Sequence, residues 1–175
     1  MSIFKCKMCG GDLRVDQENG VAVCEYCGTR QTLPRFSGGR SGDLYARAGD
    51  YRRGNEFDKA AALYEQMLAE DGGDAELYWS LVLCRYGIEY VEDPADHRRV
   101  PTINRTQFKS ILEDKDYRAA LEHATPAQRR LYETEAQAIE RLQPEYRVLI
   151  TLYYLGGFDM KDLASMFSVP VTTIK

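Results

Sequence analysis

The sequence predicts a mostly α-helical protein in which a small N-terminal β ribbon precedes helical hairpins and a C-terminal helix-turn-helix. Three observations predict this order. Two Cys-x-x-Cys-Gly motifs begin at Cys6 and Cys24, helical periodicity between capping residues starts near Asp43, and the apolar pattern after Gln143 is broken by a glycine pair. We therefore divide the chain into a ribbon at 1–33, a linker at 34–42, a helical region at 43–142 and a C-terminal motif at 143–175.

The four cysteines of the N-terminal segment have the spacing of a metal site. They form two pairs, Cys6 with Cys9 and Cys24 with Cys27, and four thiolates at this spacing complete a tetrahedral shell. The residues between the pairs alternate in polarity around Asn19-Gly20, which is typical of a β-hairpin. Such a zinc ribbon holds structural Zn²⁺, because four protein ligands leave no position for water or substrate. An iron site of rubredoxin type and two disulfides are the alternatives.

Composition and charge narrow the class of protein. With 44% hydrophobic and 29% charged residues, the chain is typical of a globular protein. Its longest apolar run, Val148 to Leu155, is too short to span a membrane, and no signal sequence is recognisable. We therefore expect a cytoplasmic protein with no membrane partner. The net charge of −4 gives no overall field that attracts nucleic acid, so DNA binding would need a local patch.

Glycine, serine and proline make Pro34–Gly42 a predicted linker, and capping residues predict three helices after it. These run from a cap at Asp43 through Tyr51, from about Asp58 to Glu70, and from a cap at Asp74 through Tyr86. The first two form a hairpin that resembles a tetratricopeptide repeat (TPR), with the tract NEFDKA as its turn. The resemblance implies a peptide-binding groove, whereas helix-packing core is the other interpretation of its aromatic residues.

The second half of the helical region contains fewer residues that predict where helices begin and end. Ile88 to Arg105 contains two prolines and is predicted to be a solvated loop. Short helices near 107–112 and 117–123 follow, and then Thr125-Pro126-Ala127-Gln128 predicts a capping box that opens a helix to about Leu142. Nowhere does the sequence contain a phosphate-binding glycine loop, paired catalytic carboxylates or a nucleophile motif. We therefore expect no enzymatic activity.

The C-terminal segment has the pattern of a helix-turn-helix. Pro144 would start its first helix, Gly156-Gly157 would end that helix, and Asp159 would cap the next one. Ala164 is small enough to let two helices cross closely, and Ile174 would anchor a third helix in the core. A hairpin that merely completes the helical core, with no DNA role, is the alternative.

These residues resemble region 4 (type 2) of the sigma-70 family of bacterial RNA polymerase factors, especially the extracytoplasmic-function type. The shared segments are 144–147, 153–158, 162–164 and 169–175. The resemblance implies a last helix in the major groove of the −35 promoter element, contact with RNA polymerase and a role in transcription initiation. Carried over by position, Thr172, Thr173 and Lys175 would contact bases or phosphates, and Lys161 and Arg147 the DNA backbone.

The C-terminal motif is predicted to be truncated. From Val171 to Lys175 the recognition helix would be only about 7 Å long at roughly 1.5 Å per residue, so we expect a fragment of a longer reading frame or a remnant. Residues 143–175 contain three cationic residues, Arg147, Lys161 and Lys175, and three acidic residues, Glu145, Asp159 and Asp162, so their charges cancel. Such a segment should bind DNA weakly and with a shallow salt dependence.

A second resemblance concerns the rest of the chain. Residues 1 to about 140 are similar to an N-terminal module of bacterial proteins, some of which continue into a Toll/interleukin-receptor domain. The tracts FKCKMCGGDL, NEFDKAAALYEQ and YWSLVLCRYGIEYVEDP carry this similarity. It implies a protein-interaction adaptor or sensor, with a protein partner bound through the TPR-like region and no DNA binding. This is the alternative to the promoter-binding hypothesis.

Overall fold

The structure, a computed structural model, describes residues 4–36, 39–92, 99–105, 107, 109–154 and 157–166; of residues 92, 99, 143–154 and 160 it describes the backbone alone. Within these residues the protein is mostly helical, as predicted, and contains two small antiparallel sheets, of which only the N-terminal one was predicted. The elements are β1 (Leu13–Asp16), β2 (Val21–Cys24), β3 (Arg30–Thr32), α1 (Gly39–Arg53), α2 (Phe57–Glu70), α3 (Ala75–Arg85), β4 (Ile88–Glu92), β5 (Arg99–Ile103), a 3₁₀ turn (Ile111–Glu113), α4 (Lys115–His123), α5 (Pro126–Tyr154) and α6 (Met160–Met166).

The N-terminal ribbon is a three-stranded antiparallel sheet in the order β1-β2-β3. The predicted hairpin joins β1 to β2, and its turn is closed by Asn19, whose backbone N–H donates to Asp16 Oδ1 at 3.1 Å. Gly20 follows with a φ of +63°, a conformation that favours glycine. The third strand, which sequence analysis did not predict, places Gln31 and Thr32 in the interior.

Helices α1, α2 and α3 pack consecutively around the first of two cores. Helix α1 begins at Gly39 rather than after the predicted cap at Asp43. Asp74 caps α3 as predicted, since its Oδ1 accepts the backbone N–H of Glu76 at 2.9 Å. Tyr64 and Cys84 are buried in this core, and burial raises the pKa of the Cys84 thiol to about 11. The aromatic residue Tyr64 therefore packs in the core.

The segment predicted to be a solvated loop contains a β-hairpin instead. Strand β4 pairs with β5 from Ile88 opposite Ile103 to Glu92 opposite Arg99. Ile88 is fully buried in the second core, and Glu89 accepts a hydrogen bond from Arg52 Nε at 3.0 Å with both side chains about nine-tenths buried. This buried ion pair holds the hairpin against α1. The loop prediction failed because Pro101 within β5 argues against a strand and because Arg52, which holds the hairpin, lies outside the segment.

Helix α5 also differs from the prediction. It runs without interruption for 29 residues, so the expected end near Leu142 and the expected new start at Pro144 are both wrong. Proline fits the first turn of a new helix, whereas inside a helix it removes one backbone hydrogen bond and its ring clashes with the preceding turn, so the sequence favours a break that the structure does not show. In the part of the chain that the structure describes, no helix has the length and apolar character needed to cross a membrane.

Thr125 and Gln128 form the predicted capping box at the start of α5. The Gln128 N–H donates to Thr125 Oγ1 at 3.2 Å, and the Thr125 N–H donates to Gln128 Oε1 at 3.0 Å. The same residues hold the ribbon, because Thr125 Oγ1 donates to the carbonyl of Asn19 at 2.6 Å and Gln128 Nε2 to that of Leu33 at 3.1 Å. The cap of α5 is thus also the joint between helix and ribbon.

Replacing Thr125 with alanine is expected to lower the free energy of unfolding by about 1–2 kcal/mol, because the helix loses its cap and Asn19 loses a donor. Urea denaturation followed by circular dichroism measures this change. Thr134→Ala is the matched control, since the Thr134 hydroxyl is exposed and bonds within α5 to the carbonyl of Arg130. If Thr125→Ala and Thr134→Ala lowered the free energy of unfolding equally, Thr125 would not serve both as the helix cap and as the contact with Asn19.

Candidate metal centre and nucleic-acid interface

The two cysteine motifs form nearly identical turns. In the first, the N–H of Gly10 donates to the carbonyl of Cys6 at 2.9 Å, and in the second the N–H of Gly28 donates to that of Cys24 at 3.1 Å. Both glycines have φ near +70°, at +73° and +71°. An L side chain rarely adopts this conformation, which explains why a glycine follows each pair of cysteines.

The turns bring the four predicted ligands to one point. The sulfurs of Cys6, Cys9, Cys24 and Cys27 lie within 4.8 Å of one another. Cys9 Sγ is 3.4 Å from Cys24 Sγ, and Cys6 Sγ is 3.6 Å from Cys27 Sγ. Thiolates about 2.3 Å from a tetrahedral Zn²⁺ are about 3.8 Å apart, whereas a disulfide needs about 2.05 Å. All four thiols are free, so the cluster is compatible with a metal site of zinc type.

The environments of the sulfurs differ. Backbone N–H groups of Met8 and Tyr26 donate to Cys6 Sγ and Cys24 Sγ at 3.3 and 3.4 Å, which stabilises negative charge on sulfur. Hydrogen bonding with the side chain and backbone of Thr29 lowers the pKa of Cys27 to about 6, whereas burial raises the pKa of Cys6 to about 12. A bound cation would have to displace a proton from Cys6, so metal affinity should increase with pH.

Lys7, between the two ligands of the first pair, joins the ribbon to the helical body. Its N–H donates to Gln31 Oε1 at 2.8 Å, and its Nζ forms an ion pair with Glu76 Oε1 at 2.7 Å. Glu76 lies in α3 and is fully buried. Its carboxylate also accepts the hydroxyls of Tyr45 and Tyr132, each at 2.9 Å. One carboxylate therefore contacts the metal-binding turn, α1 and α5.

Glu76 stays ionised despite its burial. Burial alone raises the pKa of a carboxyl group, but the Lys7 ammonium and several hydrogen-bond donors outweigh it, so the pKa of Glu76 lies below its ordinary value. Sequence analysis did not select this residue, because a glutamate in the first turn of a helix is ordinarily a solvent-exposed charge that favours the helix dipole. No local signal in the sequence marks it as buried.

The cap that precedes the last described helix is as predicted, although the helix before it has no new start at Pro144. Helix α5 ends at Tyr154, and α6 starts at Met160 after a cap at Asp159, whose Oδ1 accepts the N–H groups of Lys161 and Asp162 at 2.7 and 2.8 Å. Helix α6 packs against α5 and buries Leu163 and Ala164, with exposures of 1% and 6%. This arrangement of two helices and a cap is consistent with the predicted helix-turn-helix, whose last helix lies outside the described residues.

The structure describes only two of the five predicted DNA-binding residues. Lys161 is exposed on α6, and the backbone of Arg147 belongs to α5. Thr172, Thr173 and Lys175 lie outside the described residues, as does Ile174 in the expected third helix. The assignment of these five residues to DNA contact therefore stays a prediction, and so do the domain boundaries proposed from the sequence.

Comparison with known families agrees with the C-terminal resemblance. A family model described as sigma-70, region 4 matches residues 135–175. Regions of this family are non-enzymatic DNA-binding parts of transcription factors, so this segment suggests a DNA-binding, transcription-associated function. Neither the curated proteins nor the solved structures contain a match to the chain. The resemblance of residues 1 to about 140 to a zinc-ribbon and TPR-like module receives no family support.

The matched segment starts inside the helical body rather than after it. Glu135 accepts the indole N–H of Trp79 at 2.9 Å, and Glu140 accepts the backbone N–H of Ile111 at 3.2 Å. Ala136 and Ile139 are fully buried in the second core. The segment similar to region 4 is therefore continuous with the folded body through α5, without an intervening linker.

Proposed function

We propose that this protein is a DNA-binding, transcription-associated protein whose C-terminal helix-turn-helix recognises promoter DNA of the −35 type in the bacterial cytoplasm. One observation supports this most directly: α6, capped by Asp159, packs on the end of α5 within the segment that the region 4 family model matches. The protein acts by binding DNA and RNA polymerase, and catalysis has no part in this role.

In this proposal α5 and α6 support a third helix that reads the DNA. A helix-turn-helix places its second helical element in the major groove while the preceding helix crosses the backbone. Thr172 and Thr173 would then contact base edges, and Lys175 and Arg147 would contact phosphates. Lys161, exposed on α6, lies on the helix that precedes the reader and would contact a phosphate as well.

The metal centre has a structural role in this proposal. Zn²⁺ held by Cys6, Cys9, Cys24 and Cys27 would fix the two turns of the ribbon and supply no reactive position. Since Lys7 lies inside the first turn, a fixed turn also holds its ammonium against Glu76. The metal would thus brace α1, α3 and α5, and through α5 the helix-turn-helix.

Binding of a duplex carrying a −35-type element tests the proposal. The chain is expected to bind it more tightly than a scrambled duplex, and Lys161→Ala is expected to reduce the salt slope of log K by about 0.9, the value for one phosphate contact. Fluorescence anisotropy from about 50 to 200 mM salt measures both, over the range in which phosphate contacts are lost. Lys115→Ala, which removes an exposed lysine from α4, is the matched control.

Two outcomes would contradict the proposal. In the first, the chain binds neither duplex at any salt concentration, which would favour the adaptor alternative with a protein partner at the TPR-like hairpin. Alternatively, Lys161→Ala and Lys115→Ala would reduce the slope equally, which would place Lys161 outside the DNA interface.

A further inference from the structure

A cleft of about 730 Å³ opens between the ribbon sheet and the beginning of α5. Arg14 and Arg30 line its sheet wall, and Arg130 lines its helix wall. Its apolar surface includes Val23 and Leu131. The cleft is separate from the metal-binding turns and from the segment matched by the family model, so neither feature accounts for its three arginines.

The register of the sheet places Arg14 and Arg30 on the same face, on either side of Val23. Arg14 lies opposite Val23 on the neighbouring strand, and Val23 lies opposite Arg30 on the next one. Opposite residues point to the same face of a sheet, and strands are about 4.8 Å apart, so the two arginine backbones are about 10 Å apart on one face. This is the face that meets α5, where Arg130 approaches from the helix.

The three guanidinium groups are exposed and form no ion pair with any residue that the structure describes. The acidic residues of the cleft are Asp16 and Glu18. Asp16 is engaged within the hairpin turn, because Asn19 donates to its carboxylate from the backbone at 3.1 Å and from the side chain at 2.8 Å. Its carboxylate keeps its charge, so three arginines against Asp16 and Glu18 leave the cleft with a net charge of +1 in a protein whose net charge is −4.

We propose that this cleft binds the phosphodiester backbone of the duplex that the C-terminal motif recognises, an inference that rests on the proposed function. Guanidinium groups bind phosphate through two parallel N–H donors, and phosphate contacts fix the register of a protein on DNA. The cleft supplies cations that the C-terminal segment lacks, because residues 143–175 carry no net charge.

The position of the cleft on α5 fits a single duplex. Arg130 and Tyr154 belong to the same helix and are 24 residues apart, since 154 − 130 = 24. At about 1.5 Å per residue this is about 36 Å, and one turn of B-DNA is about 34–36 Å. In this inference the duplex lies parallel to α5, so that it would meet the helix-turn-helix at one end of the helix and the arginine cleft about one turn away.

The test combines Arg14→Ala, Arg30→Ala and Arg130→Ala in one variant and measures its binding to a duplex of about three turns by anisotropy. Three lost phosphate contacts reduce the salt slope by about 2.7. Between about 50 and 200 mM salt, the fold-loss of affinity is therefore about 40 times smaller for the variant than for the unmodified protein. The control combines Arg40→Ala, Lys109→Ala and Arg118→Ala, which removes the same charge from exposed positions outside the cleft. Thermal unfolding verifies that both variants are folded.

The outcomes separate this inference from the proposed function. If the unmodified protein does not bind the duplex, the proposed function is wrong. If it binds but the cleft variant keeps the full salt slope, or loses no more of it than the control variant, the helix-turn-helix acts alone and the cleft inference is overturned. A slope reduction confined to the cleft variant supports it, and Lys161→Ala in the same background should then reduce the slope further.

Discussion

Replacing Cys24 with serine is expected to abolish stoichiometric metal binding and to unfold the ribbon. The site needs all four thiolates, and structural Zn²⁺ contributes about 10–16 kcal/mol to the folding of small metal-binding domains. The purified variant should contain less than one zinc per chain by elemental analysis. Backbone amides of β1, β2 and β3 should lose their protection from hydrogen exchange, because these strands bury few side chains besides the ligands.

Cys84→Ala is the matched control for this prediction. Cys84 is also a buried thiol, but it lies in the first core among helices α1, α2 and α3 rather than in the ribbon. Its loss should lower the free energy of unfolding by about 1–2 kcal/mol while zinc content stays unchanged. Retention of one zinc per chain by the Cys24 variant would exclude the four-cysteine site, and an iron content in place of zinc would assign the site to the rubredoxin type.

The features that could be predicted from the sequence are those determined within a few residues. The cysteine turns, the cap of α3 at Asp74, the capping box at Thr125 and the cap of α6 at Asp159 all depend on spacings of two or three residues. Local hydrogen bonding decides such features before tertiary contacts form. The metal cluster belongs to this group as well, since a short hairpin is enough to join its two halves.

The features that were missed depend on distant residues. The β4–β5 hairpin is held by the pairing of Glu89 with Arg52, which lies 37 positions earlier. Helix α5 continues through Pro144, although the sequence predicts a break there. The burial of Glu76 results from contacts with residues 31, 56 and 69 positions away. Periodicity and capping rules describe one segment at a time and carry no information about such partners.

The distant contacts also connect the parts of the protein that local rules treat separately. The ribbon contacts α3 through Lys7 and Glu76, and it contacts α5 through Asn19 and Thr125. Helix α5 in turn extends into the segment similar to region 4. A loss of structure in the ribbon should therefore weaken the support of the helix-turn-helix, which makes the contact of Lys7 with Glu76 the decisive one to break.

Lys7→Met is expected to lower the free energy of unfolding by about 3–5 kcal/mol, since it leaves the carboxylate of Glu76 buried without a counter-charge. Adding Glu76→Gln to this variant should restore part of the loss, because a neutral amide costs less to bury than an unpaired carboxylate. Urea denaturation of the two single variants and the double variant gives the coupling energy, expected above about 1 kcal/mol for groups in direct contact. If the losses of unfolding free energy in the two single variants simply added in the double variant, Lys7 and Glu76 would not stabilise the fold as a pair.

The pH dependence of the same variants gives an independent measurement. The pKa of Glu76 is lowered in the folded protein, so its ion pair stabilises the fold above the pKa of the unfolded chain and is lost as pH falls through the folded-state value. Without Lys7, burial raises the pKa of Glu76, so the difference between the unmodified protein and Lys7→Met should begin to shrink above about 4.3, the ordinary glutamate pKa, and be smallest below the lowered pKa of the intact protein. Lys5→Met is the control, because Lys5 pairs with Asp12 at the exposed surface. If Lys5→Met destabilised the protein as much as Lys7→Met, surface charge rather than the buried carboxylate would explain the effect.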